Sequence, residues 1–438
     1  MKLKDFKSNL FFLISSVFLK FGMGWVYCNI TSKSFGYEHF SFSPSWEWTF
    51  LSWSLFFLFA IPFSFMYQNR KQLISYEVLF ILFYLSVIPF TTFVQYAGVS
   101  SRYIFLNCVY WFCLWGFVFG LGEISSDQKV ILRRTLSINK REVIYLFLFF
   151  FIIVLYIFFA NTSTKLNLSL MNVYELRSKF KQINLPIIIK YLFSWSRIII
   201  AFLLGLFIYK KKWGWVIIAS VCQLISFSID GSKSTLFMMV SLIGLIILPY
   251  ICLKRVNQLM IIGFLSIILT SFFMFVVFGN YSIPDLVIRR IFFLPIQLQT
   301  SYVDFFTNNP PDFFAQGIMR RLGAESQYPT ITNMIAEIYY DRPEMVANSG
   351  LISDAVMNLG ISGIIIMPLV LSIVLKVADL VSKNLDVHIY AAVAFIIAIL
   401  LLDGFLNTIL LSHGLLPILM ILLFMSRTYW GPQRNSNL

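Results

Sequence analysis

Long apolar stretches, separated by short polar segments, run through the whole sequence of 438 residues. Most of them hold about 18 or more residues with few charges, which is enough for an α-helix to cross ~30 Å of hydrocarbon. The pattern predicts about twelve membrane-spanning helices. Their predicted bounds are 9–30, 48–67, 73–95, 103–122, 143–160, 186–209, 213–229, 235–253, 258–279, 351–375, 388–411 and 414–426. We therefore predict an all-α fold, a polytopic membrane helix bundle in which residues 1–438 form a single integral membrane domain.

Two of the predicted loops are long and rich in basic residues, namely 161–185 and 280–350. The larger loop has apolar patterns of its own. The stretch "PTITNMIAEIYYD" predicts a short helix that begins near Thr330 or Thr332 and keeps Glu337 off its apolar face. The stretch "PDLVIRRIFFLPIQLQTSYVDFF" has enough aromatic and aliphatic residues to lie on a membrane surface. We expect one large loop that contains short helices.

Composition excludes an ordinary soluble protein, because only 12% of the residues are charged and soluble domains average about 25%. More than half of the 34 lysines and arginines lie in the termini and in short loops on one side of the predicted bundle. The positive-inside rule assigns that side to the cytoplasm, so both termini are expected there and the long loops outside. The net charge of +14 therefore predicts no nucleic-acid partner. The five cysteines lie in apolar stretches without metal-ligand spacing, and we predict neither a metal nor a cofactor.

Arginine is the only basic residue type in the predicted loop 280–350. Its planar fork binds phosphate oxygens in pairs, whereas lysine acts as a point charge. The alternative is that these arginines form salt bridges with acidic loop residues and contact lipid headgroups. The loop candidates for a pyrophosphate site are Arg289, Arg290, Arg320, Arg321 and, from the smaller loop, Arg177. Because neighbours on a helix diverge, we expect one of Arg289 and Arg290 to bind phosphate and the other to pair with an acidic loop residue.

Charged residues also occur inside the predicted spans. Lys190, Ser194 and Arg197 share one face of the sixth span, and Arg197 is expected roughly 16 Å below the start of that helix. Two cations on one face favour an anion site, so Lys190 and Arg197 join the candidates for pyrophosphate binding. Lys20, in the first span, is instead expected to form an ion pair with a carboxylate. The candidate partners of Lys20 are Glu77, Asp354 and Asp403.

Four residues are candidates for a catalytic general base. Asp354 is followed by Asn358 in the tenth span, and Asp403 by Asn407 in the eleventh, each pair expected on one helix face. Interhelical hydrogen bonding is the alternative role, and it suits the asparagines best. Glu337 and His413 lie outside the predicted spans, and the sequence leaves the choice among the four open.

Three motifs and the predicted topology resemble the Wzy-type O-antigen polymerases, which join oligosaccharide repeat units at bacterial inner membranes. The motifs are "DGSKST" (230–235), "RRIFFLPIQLQTSYVDFF" (289–306) and "ANSGLISDAVMNLG" (347–360). The resemblance covers most of the chain and includes the large outer loop before the tenth span. It implies a GT-C-like fold in the bacterial cell inner membrane, with the large loop in the periplasm.

The resemblance also implies an activity, the polymerisation of repeat units carried on undecaprenyl pyrophosphate. This is a metal-independent glycosyl transfer in which arginines stabilise the pyrophosphate leaving group. The implied partners are a lipid-linked glycan donor and acceptor, membrane lipid and, where chain length is controlled, a chain-length regulator protein. Two alternatives stay open, a flippase or transporter of lipid-linked oligosaccharide and an O-antigen ligase. The large loop contains no histidine, which counts against a ligase, and the unlike halves of the chain count against a transporter.

Overall fold

The structure is a computed structural model that describes residues 3–68, 73–122, 140–160, 168, 173–183, 185–252, 256–281, 284–317, 319–382 and 387–424. Within these ranges all regular secondary structure is helical. The helices of the first half are α1 (Leu3–Val26), a π-helical turn (Tyr27–Thr31), short turns at Ser32–Ser34 and Gly36–Glu38, α2 (Trp46–Gln68), α3 (Ile74–Leu82), a second π-helical turn (Phe83–Val87), α4 (Ile88–Tyr96), α5 (Ser101–Gly120), α6 (Lys140–Ala160), α7 (Val173–Gln182) and α8 (Ile187–Tyr209).

The second half continues with helices of more varied length. They are α9 (Trp213–Asp230), α10 (Lys233–Cys252), α11 (Val256–Phe278), a π-helix (Pro284–Phe293), α12 (Leu294–Asn308), a 3-10 turn (Met319–Leu322), α13 (Ile331–Tyr340), α14 (Ile352–Leu359), a 3-10 turn (Gly360–Ser362), α15 (Gly363–Ser382), α16 (Val387–Asp403), α17 (Leu406–Leu411) and α18 (Leu415–Phe424).

Nine helical segments of the described chain are long and apolar enough to cross a membrane. They correspond to the first seven, the ninth and the tenth of the predicted spans, so the prediction of a polytopic, multi-pass helical protein is confirmed. The segment Ile74–Tyr96 is buried from Ile74 to Val94. It is apolar on all sides, which is the pattern of a helix surrounded by other helices.

The last predicted spans differ from continuous helices. The tenth is divided at Gly360–Ser362, and the eleventh ends at Asp403 and resumes at Leu406. Gly350 packs directly on the Leu401 and Gly404 carbonyls, and its amide donates to the Leu402 carbonyl at 3.0 Å. These contacts occupy backbone groups where α16 ends. The twelfth predicted span contains α18, which has ten residues and is short for a crossing that takes about 20.

The chain folds into two compact units. The first contains residues 1–123, 260–376 and 398–407, and the second contains residues 124–259, 377–397 and 408–438. In the first unit an aromatic core joins α1, α2 and the Phe83–Val87 turn, where the Phe63 and Phe83 rings stack with centroids 5.0 Å apart. In the second unit α8 packs against α6, α9 and α10.

The segment from Pro284 to Asn308 differs from the expectation of a membrane-surface loop. Phe292, Phe293, Ile296 and Tyr302 are all buried in the first unit. These aromatic residues therefore belong to the protein core. Their packing fixes the position of the polar residues on the same segment, such as Arg289. The short helix expected near Thr330 is confirmed as α13, with Thr330 as its N-cap residue.

Candidate functional site

A cluster of charged side chains surrounds Glu38 in the first unit. One carboxylate oxygen of Glu38 accepts a hydrogen bond from Nη1 of Arg289, and the other accepts from Nη1 of Arg342 at 3.1 Å. The Arg289 side chain is buried, and its guanidinium lies 4.3 Å from the centre of the Phe35 ring. A single carboxylate thus contacts two cations.

Three separate segments place these residues together. Glu38 ends a 3-10 turn, and His39 reverses the chain with a left-handed backbone of φ 64°. The Gln297 amide group donates a hydrogen bond to the Glu38 carbonyl and fixes the turn against α12. Arg342 follows the end of α13, where its amide donates to the Ala336 carbonyl at 3.2 Å. The Glu38 cluster, defined here as Glu38, Arg289, Arg290 and Arg342, is therefore built on well-packed backbone.

Arg290 is half-buried beside Arg289 on the π-helix Pro284–Phe293. Its Nε is shielded from solvent and has no hydrogen-bond partner among the described residues. A buried donor without a partner costs roughly 1–3 kcal/mol. An anionic ligand would supply the missing acceptor, so Arg290 is the member of the cluster that fits such a ligand best. The expectation that one of the two adjacent arginines pairs with a carboxylate agrees with the Arg289–Glu38 contact.

The remaining arginines of the large loop have other surroundings. Arg320 is exposed on the turn Met319–Leu322, and the side chain of Arg321 lies outside the described residues. Buried Asp312 was a candidate salt-bridge partner, but it accepts hydrogen bonds from the Ser326 hydroxyl and, at 2.8 Å, from the Gln316 amide. Asp312 therefore stabilises the loop between α12 and α13.

The carboxylate candidates are in three different situations. Asp354 is buried, and its two oxygens accept from the Asn358 side chain and from the Leu406 amide, both at 2.7 Å. Asp403 is exposed at the end of α16. Glu337 is exposed on α13, one turn before the segment that carries Arg342. Because Asp354 already serves as an acceptor on both oxygens, Glu337 is the candidate best able to take a proton from a bound hydroxyl.

The expectation that Asp403 and Asn407 share one helix face is wrong. The helix ends at Asp403, and Gly404 and Phe405 separate it from α17. The spacing of four residues aligns side chains only on an unbroken helix. For Asp354 and Asn358 the expectation is confirmed, because both lie on α14 and are joined by a hydrogen bond.

In the second unit, Arg197 has a carboxylate partner. Its guanidinium forms an ion pair with Asp230 and donates to the Ser194 hydroxyl at 3.1 Å. Asp230 is the last residue of α9, a helix of 18 residues and thus about 27 Å long. The charge pair therefore joins one end of α9 to Arg197, which lies near the middle of α8. Lys190 and Arg177 are exposed on α8 and α7.

His413 lies in the turn between α17 and α18, also in the second unit. The Trp195 indole donates to the neighbouring Leu411 carbonyl at 2.7 Å and holds this turn against α8. Burial, together with the charge of Arg197, lowers the pKa of the His413 imidazole to about 4. The side chain is neutral at pH 7 and a weak base, which makes it a poor candidate for proton transfer.

The ion pair expected for Lys20 is wrong. The buried Lys20 amine donates to the hydroxyls of Ser52 at 2.7 Å and Thr91 at 3.3 Å, and lies 5.1 Å from the centre of the Trp53 ring. No carboxylate pairs with it in the part of the chain that the structure describes. Hydroxyl and aromatic groups satisfy the amine in place of a counter-ion.

Sequence reasoning missed two acidic residues that matter here, Glu38 and Asp230. Glu38 lies in the predicted loop after the first span, on the same predicted side as the arginine-rich loop. Asp230 opens the "DGSKST" motif, for which no charge partner was predicted. Matching the charges of all loops predicted on one side would have made both of them candidate partners.

Comparison with known proteins adds no assignment for this chain. No family model matches the sequence, no curated protein is detectably similar to it, and no solved structure resembles it.

Proposed function

We propose that this chain is a membrane-embedded glycosyltransferase that polymerises oligosaccharide repeat units carried on undecaprenyl pyrophosphate. The observation that carries the proposal is the Glu38 cluster, in which Arg289 and Arg342 contact one carboxylate and the buried Nε of the adjacent Arg290 has no partner among the described residues. Such a centre suits an anion that gains charge as a bond breaks. In this proposal the cluster faces the periplasm, in the bacterial inner membrane, and both termini are cytoplasmic.

The reaction balances with the residues at hand. A hydroxyl oxygen of the acceptor sugar attacks the anomeric carbon of the donor, and the bond from that carbon to the pyrophosphate oxygen breaks. Glu337 accepts the hydroxyl proton, and undecaprenyl pyrophosphate leaves with the electron pair. Arginine donors stabilise the departing charge, an effect worth roughly 3 kcal/mol for each donor lost. Arg290 makes this contribution in the proposal, and Arg320 and Arg321 can add positive charge from the same loop.

The test is reconstitution of the purified chain in liposomes with lipid-linked repeat units added from outside. Polymer ladders on a gel would support the proposal, and Glu337→Gln should abolish them without preventing membrane insertion. The matched control is Glu344→Gln, because Glu344 is an exposed carboxylate of the same loop. Absence of ladders in the presence of inserted, folded protein would exclude polymerase activity for that substrate.

One observation favours a second candidate, a flippase. The tenth predicted span is interrupted at Gly360–Ser362, and the eleventh is interrupted after Asp403. Asp354 lies just before the first interruption and accepts a hydrogen bond from the Leu406 amide, just after the second. Broken helices around a buried charge are typical of transporters. In the same liposomes, loss of lipid-linked substrate from the outer leaflet without elongation would identify a flippase.

A further inference from the structure

Glu38 occupies the position in the arginine cluster that an anionic ligand would need. Its two oxygens contact guanidinium groups of Arg289 and Arg342, one oxygen for each. Carboxylate and phosphate oxygens bind arginine in the same way, through charge-assisted hydrogen bonds of similar length. A pyrophosphate that entered the cluster would therefore compete with Glu38 for the same donors.

The local structure allows Glu38 to give way. The Gln297 side chain holds the backbone carbonyl of Glu38, so displacement requires only rotation of the Glu38 side chain. That side chain is 16% exposed and the Arg342 side chain is 39% exposed, so the Arg342 half of the cluster is open to solvent. Arg289 is covered by the Phe35 ring and stays in place. A ligand could therefore approach the cluster from the side of Arg342, while Arg289 is held by Phe35.

We propose that Glu38 is a built-in counter-anion, which neutralises the arginine cluster in the empty protein and is displaced by the pyrophosphate group of the substrate. The identity of that substrate rests on the function proposed above. A pyrophosphate carries more charge and more oxygens than one carboxylate, and in this proposal it also supplies an acceptor to the adjacent Arg290, whose buried Nε has no partner among the described residues. The replacement of Glu38 by pyrophosphate is therefore favourable when substrate binds. In the empty protein Glu38 pairs with the arginines, so that no unpaired charge is buried there.

The test measures binding of inorganic pyrophosphate to the full chain purified in detergent, by isothermal titration calorimetry. Removing the competing carboxylate with Glu38→Gln should tighten binding by about 10-fold or more. Pyrophosphate should also raise the melting temperature of this variant more than that of the wild type, because the ligand restores the lost neutralisation. Glu47→Gln is the matched control. It removes an exposed carboxylate close in the sequence, and its affinity should equal that of the wild type.

Weaker or unchanged binding in Glu38→Gln would overturn the proposal, because Glu38 would then only orient the arginines. Lack of binding by both proteins would overturn it as well. If Glu38→Gln does not fold, Glu38→Asp keeps the charge but is shorter by one methylene and cannot contact both arginines. That variant should bind pyrophosphate at least about threefold more tightly, and unchanged binding would again contradict the proposal. The polymer-ladder assay is independent, so tight pyrophosphate binding without polymer would refute the polymerase and leave the role of Glu38 intact.

Discussion

Arg289 and Arg290 are neighbours in the sequence, yet only Arg289 lies against the Glu38 carboxylate, and the buried Nε of Arg290 has no partner among the described residues. We predict that lysine at position 289 lowers elongation by less than about tenfold, because an ammonium loses the contact with the Phe35 ring but keeps the charge that attracts Glu38 and the pyrophosphate that displaces it. Lysine at position 290 should reduce elongation by about 100-fold, because the planar fork that binds phosphate is lost. Rates of polymer formation in liposomes test both, at matched protein levels. Equal tolerance at both positions would reduce the pair to a structural role.

Glu337 should act as the general base. Glu337→Gln removes the proton acceptor without disturbing the core, since the side chain is exposed. Elongation should fall by about 100-fold or more. The affinity for inorganic pyrophosphate should stay within twofold of the wild-type value, a difference of about 0.4 kcal/mol in binding free energy. An elongation rate equal to that of the Glu344→Gln control would transfer the role to another group, with Asp403 the next exposed carboxylate to replace.

The helices were largely predictable from sequence, because crossing a membrane requires long apolar runs whatever the tertiary structure. The interruptions near Gly360 and Gly404 were not. The interruption near Gly404 lies where the Gly350 backbone packs on the Leu401 carbonyl, a contact between residues about fifty positions apart. Apolar runs alone carry no sign of it, because the broken helices are as hydrophobic as the continuous ones.

The candidate site was predicted only in part for a related reason. The sequence identified the arginines as the unusual feature of the large loop, but it did not select Arg342, which contacts Glu38 together with Arg289. Their partners come from distant segments, Glu38 being 251 positions from Arg289. Arg197 and Asp230 show the same limitation, since periodicity on one helix cannot indicate which helix supplies the carboxylate.

Asp354 should be a stabilising residue. Its carboxylate joins α14 to the first residue of α17 through the Leu406 amide. Asp354→Ala leaves the Leu406 amide without its acceptor and removes one of the two acceptors of the Asn358 side-chain amide, which we expect to cost about 1–3 kcal/mol. Thermal unfolding in detergent should show a clearly lowered melting temperature. Asp403→Ala changes an exposed carboxylate and is the control. Its melting temperature should equal that of the wild type. Should both variants melt normally, the buried contact contributes nothing to stability.

The Arg197–Asp230 pair should be coupled energetically. Arg197→Gln and Asp230→Asn each leave a partly buried charge without its partner, so each single variant should be less stable than the wild type. The double variant should recover part of the loss, giving a coupling energy of about 1–3 kcal/mol. Additive effects in this double-mutant cycle would show that Arg197 is held mainly by other contacts. In that case Arg197 would be available to an anion, as the sequence suggested.

Membrane sidedness follows from the helices between residues 139 and 308. The segments α6, α8, α9, α10 and α11 lie between these positions, and an odd number of crossings puts the two positions on opposite sides. Four of these helices are long and apolar enough to cross a membrane. For the fifth, α10, the apolar helix whose side chains are described covers only Lys233–Ile247. In a background without the five native cysteines, we therefore expect Asn139→Cys to react with an impermeant maleimide only from the cytoplasmic side. Exposed Asn308→Cys should react only from the periplasmic side. Labelling of both from the cytoplasmic side would mean that an even number of these helices crosses the membrane, as when α10 does not, and that the Glu38 cluster faces the cytoplasm, where a periplasmic polymerase could not use it.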